Sequence, residues 1–147
     1  PLYGRIYVYE TDGAGNTNLM DDANVPSLLS IPYLGYRDSN DTLYQNTRRF
    51  LLSHAHTYYY QGTYARGIGS PHTPEGYIWP IALAMQGLTS TDLAEREEIL
   101  QMLLCTTADT NYMHESFHPD DPRQFTRPWF AWANSLCAEF IYNMAQA

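Results

Sequence analysis

Between residues 41 and 54 apolar side chains fall at Leu43, Phe50 and Leu51, with Gln45, Arg48 and Arg49 between them. That spacing predicts a helix with the first set inward and the second outward. Earlier, residues 5–10 alternate through Ile6, Tyr7, Val8 and Tyr9, and the pairs Asp12-Gly13 and Gly15-Asn16 follow, which together predict a short β-hairpin near the N-terminus. From Ala23 to Leu34 apolar residues recur around Pro26 and Pro32, the pattern of a short, broken helix. Gly62, Gly67, Gly69, Pro71 and Pro74 make a long ordered loop, after which a helix is expected over Tyr77 to Gly87. Ser90 is placed to cap the next, whose first turn carries Asp92 and Glu95 and which runs to about Ala108. The last helix is expected from near Arg127, with Pro128 in its first turn, to Met144. Trp129, Trp132, Leu136, Phe140 and Met144 form its main stripe, and Phe130, Cys137 and Ile141 widen it, so it should be buried between neighbours. These elements read as an all-α fold of helical hairpins packed side by side, without a sequence repeat.

Composition narrows the class. The 147 residues, 44% hydrophobic, are one domain's worth of ordinary globular chain. No stretch approaches the roughly eighteen unbroken apolar residues of a membrane span. The chain opens on Pro1 without a basic-then-apolar leader, so its true start is expected upstream and its compartment stays open. A net charge of -8, with Arg48-Arg49 the one adjacent basic pair, argues against a nucleic-acid partner. Thirteen tyrosines and three tryptophans suit sugar faces and hydroxyls, and equally a helical core. Cys105 and Cys137 fall on apolar faces and read as buried free thiols, with a disulfide left open. Asn40-Asp41-Thr42 matches a glycosylation acceptor and equally a helix cap. Asp12, Asn16, Asn18, Asp21 and Asp22 are rich in oxygen, but their spacing is that of turn chemistry and not of an EF-hand calcium loop.

The stretch Met113 to Pro122 carries the chemistry, and its His114-Glu115-x-x-His118 core has two readings. On a helix the two histidines would share a face and bind zinc, with Glu115 polarising the metal-bound water and Glu139 at a distance suited to a third ligand. Against this, His118 precedes Pro119, whose ring pushes it out of the helical region, and Pro122 follows at once. On a loop, Glu115 is instead a catalytic carboxylate with the histidines as hydrogen-bond partners or sugar ligands. A carboxylate that merely pairs locally is the plainest alternative.

The run MHESFHPDDPRQFTRPWFAWANSL, Met113 to Leu136, resembles the closing motif of glycoside hydrolase family 125, the metal-independent exo-α-1,6-mannosidases. YETDGAGNTNLMDDANVPSLLSIPYLGY, Tyr9 to Tyr36, and ARGIGSPHTPEGYIWPIALAMQGLTS, Ala65 to Ser90, agree with the same family and in its order. The resemblance implies an (α/α)₆ barrel, of which residues 1–147 would be the C-terminal half of the catalytic domain, with the N-terminal half missing. It also implies removal of terminal α-1,6-linked mannose with inversion, no metal and no cofactor, on mannose-containing glycans. Inversion needs an acid and a base on opposite sides of the sugar, roughly 6.5–9.5 Å apart. Glu115 matches the family's base, and the acid is expected upstream of residue 1, so that the chain alone should be inactive. The resemblance assigns Asp21, Asp22 and Asn24 to hydroxyl recognition, and Arg66, Gly67, His72 and His114 to the terminal mannose pocket. Arg127, at an expected helix start where a cation is unfavourable, should pair with Asp120 or Asp121. A non-catalytic carbohydrate-binding or structural remnant, and a zinc hydrolase through His114 and His118, stand as the alternatives.

Overall fold

Asp41 opens the first helix, α1 (Thr42–Leu51): its carboxylate accepts from the Tyr44 backbone N–H at 3.0 Å and satisfies a donor that the first turn leaves free. The protein is described here by a computed structural model covering residues 2–146. The face that α1 buries is Tyr44, Thr47, Phe50 and Leu51, whereas Leu43 is only half-buried. Arg48 does not point outward as its charge suggested. Its Nη2 donates to the Gln86 carbonyl at 3.1 Å and to Glu95 at 3.0 Å, and these acceptors explain why a cation tolerates the inner side.

Helix α2 (Pro80–Leu88) is the centre of the packing, with every residue from Pro80 to Gly87 buried. Helices α3 (Leu93–Cys105) and α4 (Ala131–Gln146) both lie against it. The approach of α4 needs a glycine, since a Cβ on Gly87 would sit 2.5 Å from the Phe140 ring. Helix α2 begins later than its periodicity suggested because Ile78 is extended, exchanging backbone hydrogen bonds of 2.9 Å in both directions with Phe117. Asp92, not Ser90, caps α3, accepting from the Ala94 N–H at 2.9 Å. The helix stops at Cys105 and not near Ala108, for Ala108 and Asp109 turn left-handed with φ of 50° and 61°.

Helix α4 departs most from expectation. It starts at Ala131 because Arg127 is left-handed, φ 45°, and the Phe130 N–H is taken by the Met113 carbonyl at 3.0 Å. It is also buried on one side only: Ala133, Leu136, Cys137 and Phe140 face inward, while Trp132, Ile141 and Tyr142 are exposed. Cys137 is buried and Cys105 is exposed, both as free thiols.

Among the described residues three two-stranded antiparallel sheets join these helices, so the chain mixes helix and strand and is not all-α. The first, β1 (Glu10–Thr11) with β2 (Thr17–Asn18), is the expected hairpin, though residues 5–9 stay outside it. Asp12 closes its turn by accepting from the Ala14 and Asn16 N–H groups at 2.8 and 3.1 Å, the turn chemistry that its spacing indicated. The second, β3 (Tyr59–Gln61) with β4 (Arg66–Ile68), and the third, β5 (Ser116–His118) with β6 (Asp121–Thr126), arise from stretches that read as ordered loop. Strands this short, broken by Gly67 or Pro122, have no alternation to betray them. The helix expected over Ala23 to Leu34 is a series of turns, whose Leu28 and Leu29 N–H groups go to the Asp21 carboxylate at 2.9 and 3.0 Å. Among the described residues no helix is long and apolar enough to cross a membrane.

Candidate active site

Glu115 stands at the entrance to β5, where its N–H is shared between the carbonyls of Thr126 at 3.1 Å and Arg127 at 3.4 Å. Its carboxylate is 15% exposed and faces the Arg127 guanidinium, Nε to Oε1 at 3.3 Å. That guanidinium lies over the Phe130 ring at 5.5 Å, and Phe130 meets Trp79 edge-on at 6.2 Å. Arg127 therefore does not pair with Asp120 or Asp121. Asp120 accepts from the Thr63 N–H at 2.7 Å, and Asp121 accepts from the Arg123 Nε at 2.9 Å, which brings its carboxyl down to about 2. Asp120 lies in the turn between β5 and β6 and Asp121 opens β6, both at the far end of the hairpin from its base, where Glu115 and Arg127 meet.

His114 is 1% exposed. Its Nδ1 is 2.9 Å from the Pro128 carbonyl and its Nε2 3.2 Å from the Thr107 carbonyl, and its face stacks on Phe125 at 3.9 Å. His118 sits on β5, not on a helix, and its Nδ1 accepts from the Asp120 N–H at 3.1 Å. The helix that zinc would need is absent, and the His114 ring edges are turned to backbone oxygen.

A second cluster gathers on the loop after β2, tied to the end of β4 by the Ala23 N–H to Gly69 carbonyl bond of 3.2 Å. Here the Asp22 carboxylate accepts from the Asn24 backbone and side-chain N–H groups at 3.2 and 3.0 Å and meets the exposed His72 Nε2 at 3.3 Å. Asp21 lies beneath, fully buried, its N–H donating to His56 Nε2 at 2.8 Å. Burial pushes the Asp21 carboxyl up to about 7 despite the Leu28 and Leu29 N–H groups, and burial pushes His56 down to about 4. The Tyr9 phenol is raised by burial and then by the charges of Asp22, Glu10 and Asp21. The loop of His72 connects back towards the base, since Thr73 Oγ1 accepts from Trp79 Nε1 at 2.8 Å and Trp79 meets Phe130.

Two expected pocket residues stay apart from this cluster. Arg66 pairs with Glu98 of α3, and Gly67 brings β4 against the core, where a Cβ would lie 3.0 Å from Leu83 and 3.2 Å from Ile78. A cleft of about 510 Å³ opens between Tyr64, Cys105, Asp109 and Arg123 and is lined by none of the expected site residues.

The family model for metal-independent α-mannosidases, GH125, matches residues 1–142. The chain belongs to this family. It is 47% identical over 147 residues to the meiotically up-regulated gene 157 protein of Schizosaccharomyces pombe, covering 99% of this chain and 29% of the relative. A solved structure of a metal-independent α-mannosidase of Streptococcus pneumoniae, in a non-productive complex with α-1,6-mannobiose, superposes with a TM-score of 0.94 at 52% identity. That match takes in 96% of this chain and 33% of the other. The chain thus spans about a third of the length of these relatives.

Within this GH125 chain, the residue that sequence reasoning misplaced is Arg127, and the one it overlooked is His56. Arg127 sits twelve positions after Glu115 in sequence, and only the pairing of β5 with β6 brings them together. His56 had no motif around it, and its role shows only when the 21–24 loop folds over it.

Proposed function

We propose that the intact protein is an exo-α-1,6-mannosidase that removes terminal mannose with inversion, and that Glu115 is its general base. The observation that carries this is the Glu115 carboxylate itself, mostly buried, fixed through its backbone by the β6 end and through its side chain by Arg127. A carboxylate so held can take a proton from a water aimed at the anomeric carbon without first finding its own orientation. The mannobiose complex of the pneumococcal relative supports α-1,6-linked mannose as the ligand. Asp22, Asn24 and His72 supply acceptors and donors for adjacent sugar hydroxyls, while Asp21 holds the loop from below. The partner acid belongs to a part of the intact protein outside these residues, and the helices α1–α4 form part of an (α/α)₆ barrel.

The test is Glu115→Gln in the intact protein, assayed on α-1,6-mannobiose with the released anomer followed by proton NMR. Turnover should fall about 10²–10⁴-fold with mannobiose still bound, the usual contribution of a general base, and the wild type should release β-mannose first. Unchanged turnover would remove Glu115 from the mechanism, and α-mannose as first product would overturn inversion.

A further inference from the structure

We propose that His114 is a positioning residue for Glu115, clasping the two turns that flank the base, and not a sugar ligand. This rests on the mannosidase reading above. The ring reaches the Pro128 carbonyl with Nδ1 at 2.9 Å and the Thr107 carbonyl with Nε2 at 3.2 Å. One of its faces lies flat on Phe125, centroids 3.9 Å apart and planes within 8°. With both edges committed and 1% of the residue exposed, nothing is left to offer a hydroxyl group.

The two carbonyls are not ordinary ones. Thr107 precedes the left-handed pair Ala108 and Asp109, φ 50° and 61°, and Pro128 follows left-handed Arg127, φ 45°. Such conformations persist in non-glycine residues only where the surroundings hold them. His114 sets one ring nitrogen against a carbonyl of each turn, donating to both as the imidazolium and to one of them as the neutral ring, and so spans the exit of α3 and the link between β6 and α4. Glu115, its neighbour in the chain, hangs from the second of these turns by its N–H and by its carboxylate. If Pro128 shifts, Arg127 shifts with it, and the carboxylate loses its aim. The effect should therefore fall on the chemical step and not on substrate binding.

The experiment compares His114→Ala and Phe125→Leu with wild type and Glu115→Gln in the intact enzyme, reading kcat and KM on α-1,6-mannobiose. For His114→Ala we expect kcat to fall roughly 10- to 100-fold, as for a base displaced by a fraction of an ångström, with KM within about twofold. Phe125→Leu, which leaves the ring its two carbonyls, should show a smaller loss of the same kind. A raised KM with kcat held would make His114 a sugar contact, and unchanged constants would leave it no role; either overturns the proposal. Should His114→Ala fail to fold, isotope-labelled histidine in Glu115→Gln enzyme gives the answer. His114 ring signals that stay in place when mannobiose saturates the site, while those of His72 move, support it, and a His114 shift as large as that of His72 overturns it. Wild-type enzyme inert towards mannobiose, or Glu115→Gln as active as wild type, would instead sink the mannosidase reading itself.

Discussion

Arg127 meets Glu115 from a left-handed backbone, Nε to Oε1 at 3.3 Å with φ at 45°. An arginine gains nothing locally from that conformation, which for a residue with a Cβ costs on the order of 1 kcal/mol. The strain and the ion pair are thus separable. Arg127→Gly relieves the first and deletes the second, so the variant should unfold within about 1 kcal/mol of wild type while kcat on α-1,6-mannobiose falls about tenfold. Urea melts and steady-state kinetics on the intact protein check the two halves independently. A glycine variant with full turnover would mean that Arg127 does no more than cover Phe130.

Asp22 should behave differently from Arg127. Its carboxylate gathers Asn24 and His72, and groups that hold sugar hydroxyls do so in the bound substrate as well as at the transition state. Asp22→Asn keeps the shape but removes the charge and one acceptor. KM should rise about tenfold with kcat changed less than about threefold, because uniform binding is what is lost. A fall in kcat at constant KM would place Asp22 in the chemical step.

The long helices were legible because their apolar spacing reports a face: α1, α2 and α3 lie where the pattern put them, to within a few residues. Their ends were less so. The start of α4 is set by a left-handed residue and by the Met113 carbonyl, neither of which leaves a periodic trace. Trp129, Trp132 and Ile141 read as core from their type alone, yet they are exposed, since a pattern can show that a face is apolar but not what lies against it. For the site, His114-Glu115 stood out as a motif, and the His118-Pro119 pair already argued against the zinc helix. Arg127 and His56 were invisible as partners because their contacts cross the chain by hairpin pairing and loop closure.

Gly69 ties hairpin to site, which makes it a test of how the fold supports the cluster. A Cβ there would run into the Tyr77 carbonyl and lie 2.7 Å from the Tyr60 ring, and a backbone carbonyl cannot swing aside. Gly69 also accepts from the Ala23 N–H at 3.2 Å, so moving it moves the loop carrying Asp22. Gly69→Ala should destabilise by about 1–3 kcal/mol, the usual cost of overpacking. A Cβ on Gly87 has atoms of the Phe140 ring, and not backbone, as its nearest neighbours, and Gly87→Ala recovers about 1 kcal/mol of helix propensity, so its net loss should be smaller. Thermal melts of the two variants give the order directly, and a Gly87 variant worse than the Gly69 one would reverse it.

His56 and Asp21 are pushed in opposite directions by the same burial, and their effects on stability oppose each other. Asp21, raised from 3.8 to about 7, holds a proton in the fold that the unfolded chain has given up, so its contribution grows as pH falls through 7 and is lost as pH rises through it. His56, lowered from 6.5 to about 4, refuses a proton that the unfolded chain takes, so its contribution is present above 6.5 and is lost as pH falls towards 4. Between about 4 and 6.5 the two slopes cancel. His56→Gln removes one of them while keeping an oxygen to accept the Asp21 N–H. Against wild type, the variant should gain relative stability as pH is lowered from 6.5 to 4, whereas at pH 7 and above the difference should be flat. Urea unfolding of both proteins across this range measures it, and subtracting one from the other removes every group they share. A difference independent of pH would mean that His56 stays neutral in the unfolded chain too or is protonated in the fold, and burial would not then be what governs the pair.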